Sequence, residues 1–456
     1  MWETLSQTTF CIRTFGCQMN KHDAERVAGM LEGQGCLPVG TYEEADIVVF
    51  MTCCVREAAD VRLMGQVASM KNLPLRKGSS TGKRVVAVGG CIGQRDGEKL
   101  AQQLPHIDVV FGTYNLQSLP RLIASSFEDS KHHIEVLDGP AGFSTDLPSD
   151  REKPWAAWLP IIVGCDNFCS YCIVPSVRGR EKSRPLEDVI EEAKGYVASG
   201  VKEITLLGQN VNSYGRDLYG QPRFYDVLEK IDSTGIARLR FATSHPKDLT
   251  QEVIGAFGAL PSLMPAIHLP IQSGSNRILS AMNRGYTQEH YLGLIEALKT
   301  AAPGIALSTD VIVGFPGESE SDFEQTCKVI EEVGYTQVFT FIYSRREGTP
   351  AAKMHDETPP EVVQERFDRL VAIVQRQAWA QNQKDVGTVV EVLVEGASKR
   401  NPQLITGKSP KNQTVHAKFP DGACDLTGSF VKVAVKEAKT WYLLGDIVDG
   451  GAYGRP

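Results

Sequence analysis

Three cysteines stand in one short segment, Cys165, Cys169 and Cys172 of GCDNFCSYCIVPSVRGRE, with C-x3-C-x2-C spacing. Thiolates are soft ligands for zinc or for iron–sulfur clusters. Three on one loop can hold three irons of a cubane and leave the fourth open to a reactant. Zinc, the alternative, asks for a further Cys or His nearby, and none follows in the loop. A second set, Cys17, Cys53 and Cys91, is spread along the first part of the chain. Each member lies just past an apolar run: FCIRTFGC, DIVVFMTC and RVVAVGGC. If these runs are strands of one parallel sheet, their carboxyl ends share the edge where open α/β sheets bind ligands. The three thiols then come together. The remaining cysteines read as packing residues: Cys54 points away from Cys53 on an extended chain, and Cys11, Cys36, Cys327 and Cys424 have no evident partners.

The elements that must position these residues follow a strand-then-helix rhythm. Strands are expected over 10–15, 46–51 and 84–89, with helices over 21–34, 56–71 and 97–104, giving an N-terminal open parallel α/β domain. A polar stretch over 138–154 reads as a linker. A second series follows, with strands over 159–163, 203–207, 238–242, 266–270, 307–313 and 337–343. Helices over 186–199, 224–231, 251–260, 288–301 and 320–333 separate them. Six units are too few for an eight-stranded barrel, so a central partial (β/α)6 barrel is expected. A long polar helix over 361–383 leads to β-branched alternation typical of a small all-β module. The expected division is 1–140, 151–385 and 386–450.

Composition bounds the partners. Hydrophobic residues are 42% and charged residues 23% of 456, the balance of a folded chain. Net charge is −7, so any nucleic-acid surface is local. No run approaches the roughly 18 to 20 apolar residues of a membrane helix. MWETLSQTTF lacks the marks of a secretion signal, so a cytoplasmic protein without membrane contact is expected. With 11 cysteines and a reducing compartment, thiols are expected rather than disulfides.

C-x3-C-x2-C at the first strand of a partial barrel resembles the radical S-adenosylmethionine superfamily. TFGCQMN, MTCCVREAAD and GGCIGQ, with LLGQNVNSYG, RFATSHPKD, HLPIQSGSNRILSAMNRGYT, STDVIVGFPGE and YSRREGTPAA, resemble the methylthiotransferases within it, and most closely their tRNA branch. The segment after Gly387 resembles a TRAM domain. Met51 stands where the family usually has Asn, and Arg345 where it has Pro. The resemblance implies two 4Fe–4S clusters, one on Cys165, Cys169 and Cys172 and an auxiliary one on Cys17, Cys53 and Cys91. It also implies two molecules of S-adenosylmethionine. One methylates a sulfur of the auxiliary cluster. The other yields the radical that removes hydrogen from C2 of N6-isopentenyladenosine beside the anticodon, and the methylthio group is inserted there. Such chemistry wants two open irons facing one pocket, and an electron donor protein of the flavodoxin or ferredoxin type. A monomer is expected. That C–H bond offers no acidic proton, in keeping with the lack of a His/Asp/Glu constellation.

Cofactor contacts are expected at the carboxyl ends of the barrel strands: Gln209 and Asn210, Ser244 and His245, Gln272 and Ser273, and Gly314. Tyr171 lies between the last two cysteines of the triplet. For RNA, the stretch from Lys399 to Lys418 holds Lys399, Arg400, Lys408, Lys411 and Lys418 and no acidic residue, a plausible phosphate surface. Arg178, Arg180, Lys182 and Arg184 follow the triplet and are further candidates for phosphate or carboxylate. Phe15 or Tyr214 could stack on an unstacked base. Two other readings compete: a methylthiotransferase for a ribosomal protein or for threonylcarbamoyl-adenosine tRNA, and a non-catalytic iron–sulfur RNA-binding protein.

Overall fold

The computed structural model describes residues 5–53, 57–79, 81–129, 131–137, 139, 149–419 and 425–448. The chain divides into two compact units. One comprises Met1–Glu152, Val163–Asp166 and Cys172–Lys182; the other comprises Lys153–Ile162, Asn167–Tyr171 and Ser183–Pro456. Cys54, Cys424 and most of the expected linker lie outside the described residues.

The first unit is built on a six-stranded sheet in the spatial order Leu37–Pro38, Thr9–Phe15, Ile47–Thr52, Val85–Gly90, Val109–Phe111 and His133–Glu135. Every pairing is parallel. Ile47–Thr52 and Val85–Gly90 are buried along their whole length, as strands covered on both faces must be. One apolar cluster fills each face, around Val49 and Phe111 on one side and Phe50 and Val88 on the other. Strand order reverses between Thr9–Phe15 and Ile47–Thr52, so a switch-point crevice opens at their carboxyl ends. Met51 is fully buried in this core, and Cys11 and Cys36 are buried too. Burial raises the pKa of both of the latter thiols.

In the second unit, six parallel strands form two three-stranded sheets. The first is Ala156–Pro160, Glu203–Leu207 and Arg238–Phe241; the second is Ala266–His268, Ala306–Val313 and Gln337–Ile342. A bridge sets Leu239 of the first sheet beside Leu263, which precedes the strand Ala266–His268. The strand expected over 159–163 is divided: the sheet strand runs over Ala156–Pro160, and Ile162–Val163 is a separate short strand. The helix Pro360–Gln383 then leads to a closed five-stranded barrel of Val389–Ala397, Leu404–Lys408, Thr414–Lys418, Tyr442–Ile447 and Phe430–Ala438. Arg238 donates to Lys408 O at 2.8 Å and to Glu391 Oε1 at 3.0 Å, and Arg240 donates to Pro410 O and Ser409 O at 2.9 Å. Both arginines are buried, so the small barrel is tied to the (β/α) strands by desolvated bonds. Among the described residues no helix is long and apolar enough to cross a membrane.

Candidate functional site

Cys17, Cys53 and Cys91 each directly follow a strand or its closing turn at the switch-point edge of the first unit. The Cys53 thiol hydrogen-bonds with both Cys17 and Cys91. Its bond to Cys17 is the largest of the effects that push Cys53 far above the ordinary thiol pKa. The same bond, more than any other effect, lowers the Cys17 thiol below its ordinary value, against burial. Gly16 permits this approach: its φ is 117°, and a Cβ there would lie 2.2 Å from Cys53 Cβ. Among the described residues, no three His, Cys, Asp or Glu side chains converge on the place of a single ion. A cubane asks for a different arrangement, because each thiolate binds a separate iron.

Beside these thiols lies a buried polar group. The Cys91 thiol reaches Asn20 Oδ1 at 4.0 Å, and Arg178 donates to the same oxygen at 3.0 Å and to Asp23 Oδ2 at 2.8 Å. Burial opposes both charges. The guanidinium nonetheless lowers the Asp23 pKa, and Asp23 with the Cys91 and Cys17 sulfurs raises that of Arg178. Arg178 ends the short helix Val174–Arg178, which packs Ile173 and Val177 against Cys91. Thr113 Oγ1 donates to Val177 O at 2.8 Å and pins it. Cys165 and Cys172 belong to this unit as well. The Cys165 amide donates to Gly179 O at 3.1 Å.

Cys169 belongs to the second unit. It is buried and receives Arg284 Nη1 at 3.2 Å. Arg284 also donates to Tyr171 Oη at 3.4 Å, Tyr286 Oη at 3.0 Å and Pro270 O at 3.0 Å. Phe168, next to Cys169, holds a φ of 47°. Asn283 Nδ2 donates to Phe168 O at 3.0 Å and fixes that turn.

At the carboxyl ends of Glu203–Leu207 and Arg238–Phe241, several buried polar atoms lack a partner: Asn210 Oδ1, Asn212 Nδ2, Ser244 Oγ and His245 Nε2. Unsatisfied groups of this kind are costly in a folded chain, and together they offer donors and acceptors to a polar ligand. Burial above all, then Arg284 and Lys247, lowers the His245 pKa to about 2, so its ring is neutral. Thr243 and Gln272, neither of them glycine, hold φ of 69° and 71° at neighbouring strand ends, a strain that clusters at functional sites. These residues fit a small polar cofactor such as S-adenosylmethionine.

The structure places the other expected site residues in varied surroundings. Gly314 is explained by packing: a Cβ there would meet Val363 Cγ1 at 2.5 Å, and its N–H goes to Glu318 Oε2 at 2.8 Å. Ser273 is buried beside Thr326, with 3.3 Å between their hydroxyls. Gln272 donates its N–H to Asp310 O, and Gln209 is half-buried. Arg178 and Arg184 are buried in internal bonds and present no charge to RNA. Tyr214 is fully buried, with its hydroxyl on Arg184 O, and cannot stack on a base. Lys408 is desolvated onto Thr414, and Lys411 pairs with Asp385 at 2.9 Å. Lys399, Arg400 and Lys418 are exposed, and Arg180 is exposed while bonded to Asp166.

The model described as the Radical SAM superfamily matches residues 159–330. Uncharacterized protein family UPF0004 matches 9–112, and the TRAM domain matches 383–448. A tRNA-2-methylthio-N(6)-dimethylallyladenosine synthase of Streptomyces viridosporus is 44% identical over 446 residues, covering 96% of this chain and 87% of the relative. One from Caldicellulosiruptor saccharolyticus is 46% identical over 443 residues, covering 96% and 92%. The chain belongs to the tRNA-2-methylthio-N(6)-dimethylallyladenosine synthase family. Among solved structures, the radical S-adenosylmethionine methyltransferase TsrM of Kitasatospora setae shares the fold, with a TM-score of 0.51 at 13% identity over 76% of this chain and 74% of that one.

For a member of this family, two residues escaped the sequence reading. Arg284 lies in the family-like run NRGYT but reads there as an ordinary loop cation. Asp23 follows Asn20 by one helical turn, on the face that looks at the cysteine edge. That spacing is the one signal that could have paired it with a buried charge.

Proposed function

We propose that this chain is a tRNA methylthiotransferase that inserts a methylthio group at C2 of N6-isopentenyladenosine next to the anticodon. The observation that carries this reading is the hydrogen-bonded Cys17–Cys53–Cys91 group at a switch-point edge, in one chain with the C-x3-C-x2-C segment. In this reading Cys17, Cys53 and Cys91 hold one 4Fe–4S cluster, and Cys165, Cys169 and Cys172 hold the other. When bound, the clusters and two molecules of S-adenosylmethionine supply the radical and the methylthio group.

The chain's own residues bind and orient. Asn210, Asn212, Ser244 and neutral His245 take the polar edges of S-adenosylmethionine. Arg178, through Asp23 and Asn20, fixes the edge that carries Cys91. Lys399, Arg400, Lys418 and Arg180 meet tRNA phosphates, a term that weakens as salt rises. The working division is 1–140 for the auxiliary cluster, 151–385 for the radical barrel and 386–450 for RNA. A cytoplasmic monomer served by a flavodoxin- or ferredoxin-type donor completes the proposal.

The test is anaerobic reconstitution with iron and sulfide counting, then turnover on isopentenylated anticodon-loop RNA. Cys165→Ala, Cys169→Ala and Cys172→Ala together are expected to abolish 5′-deoxyadenosine under dithionite while iron remains on the other set. Cys17→Ala, Cys53→Ala and Cys91→Ala together are expected to leave cofactor cleavage and stop methylthio insertion. Equal loss of all iron in both variants would contradict two separate sites.

A further inference from the structure

Arg284 is 4% exposed, and no carboxylate lies among its partners. These are Tyr286 Oη, Tyr171 Oη, Pro270 O and Cys169 Sγ. A desolvated guanidinium without an anion is strongly unfavourable. Its oxygen neighbours at the strand end supply no negative charge. The single proton of Tyr286 Oη goes to Ile271 O at 2.8 Å, with Pro270 O farther at 3.2 Å, so the phenol is satisfied without the arginine, and Arg284 serves Pro270 O, a neutral acceptor, at 3.0 Å. The partner that can carry a negative charge as a ligand is Cys169, with Tyr171 beside it. Among the described residues, the charge is accounted for only if Cys169 belongs to an anionic group.

We propose that Arg284 is a positioning residue that supplies the counter-charge for the cluster held by Cys165, Cys169 and Cys172, and so sets its reduction potential through the N–H···S bond to Cys169. The proposal rests on the reading of that triplet given above. Reduction brings one electron from the reductant, dithionite or the donor protein, and adds one negative charge; no bond is made or broken. A fixed cation bonded to a ligand sulfur favours the more negative state, and hydrogen bonds to sulfur and net charge are known levers on cluster potential.

The test uses anaerobically reconstituted full-length protein. A potentiometric titration with dithionite follows, by electron paramagnetic resonance, the cluster signal that changes on adding S-adenosylmethionine. Arg284→Met is expected to disfavour reduction at least tenfold, about 59 mV for one electron. Arg284→Lys, which keeps the charge, is expected to move it less than half as far. A fully loaded Met variant with an unchanged midpoint overturns the proposal, and so does a Lys variant that falls as far as Met.

A second measurement stands even if the Met variant takes up no iron. In the cluster-free chain, Arg284→Met is expected to raise the thermal midpoint, because it removes an uncompensated buried charge. In the loaded chain it is expected to lower it. A lower midpoint in the cluster-free Met variant overturns the proposal, since a merely structural arginine would behave that way. A wild-type chain with no cofactor-responsive cluster removes the underlying reading, and is recognised without any variant.

Discussion

Both cysteine regions contain a buried arginine, and the two differ in how its charge is met. In the first unit Arg178 faces Asp23 at 2.8 Å. The pair is closed within the protein, and the Cys17 and Cys91 sulfurs are additional to it. In the second unit Arg284 meets two phenols, a carbonyl and Cys169 Sγ, and no acid. A closed pair makes a rigid support whose charge is mostly spent locally. An open cation is a support that stays incomplete until an anion arrives.

The largest expected effect separates these cases. Asp23→Asn or Arg178→Met leaves one buried charge without its partner and is expected to cost about 3–5 kcal/mol in urea unfolding of the cluster-free chain. The double variant is expected to cost clearly less than the sum. Strictly additive losses would mean that the pair is not coupled, and the contrast with Arg284 would collapse.

Next in size is Gly16→Ala, which tests how tightly the first thiol group is assembled. Its φ of 117° and the 2.2 Å approach to Cys53 Cβ predict a loss of about 1–3 kcal/mol. Iron content is expected to fall by roughly half, from the Cys17 set alone, with cofactor cleavage retained. Full iron in this variant would show that the thiols tolerate separation.

The smallest effect concerns another incompletely met charge in the second unit. Burial raises Glu318 to about 7, against the bond from Gly314 N and the pull of Arg366. The folded chain therefore holds this proton more tightly than the unfolded one. The associated stability is present below the ordinary carboxylate range and is lost as pH rises through about 7. Glu318→Gln is expected to flatten the fall in thermal midpoint between about pH 4.5 and pH 7. An unaltered slope would place the cost of rising pH elsewhere.

Much of the scaffold was legible because apolar periodicity is local. The strand Glu203–Leu207 and the helices Gln288–Ala301 and Glu320–Val333 fall where the pattern puts them. The strands Leu37–Pro38, Val109–Phe111 and His133–Glu135 were missed, since two or three residues carry no period. The helix Leu119–Glu128 was also missed. The basic residues were the least legible. Lys408, Lys411, Arg178 and Arg184 look like phosphate ligands in a linear reading, because charge alone does not say whether a side chain meets solvent.

The sequence by itself determined which thiols exist, their spacing, and the strand ends that carry them; these are properties of short segments with strong patterns. Tertiary structure alone decided how charge is matched. Arg178 finds Asp23 across 155 residues, and Arg284 finds Cys169 across 115. A buried cation is governed by the few atoms that folding brings within reach once water has been removed, and no local pattern encodes that neighbourhood.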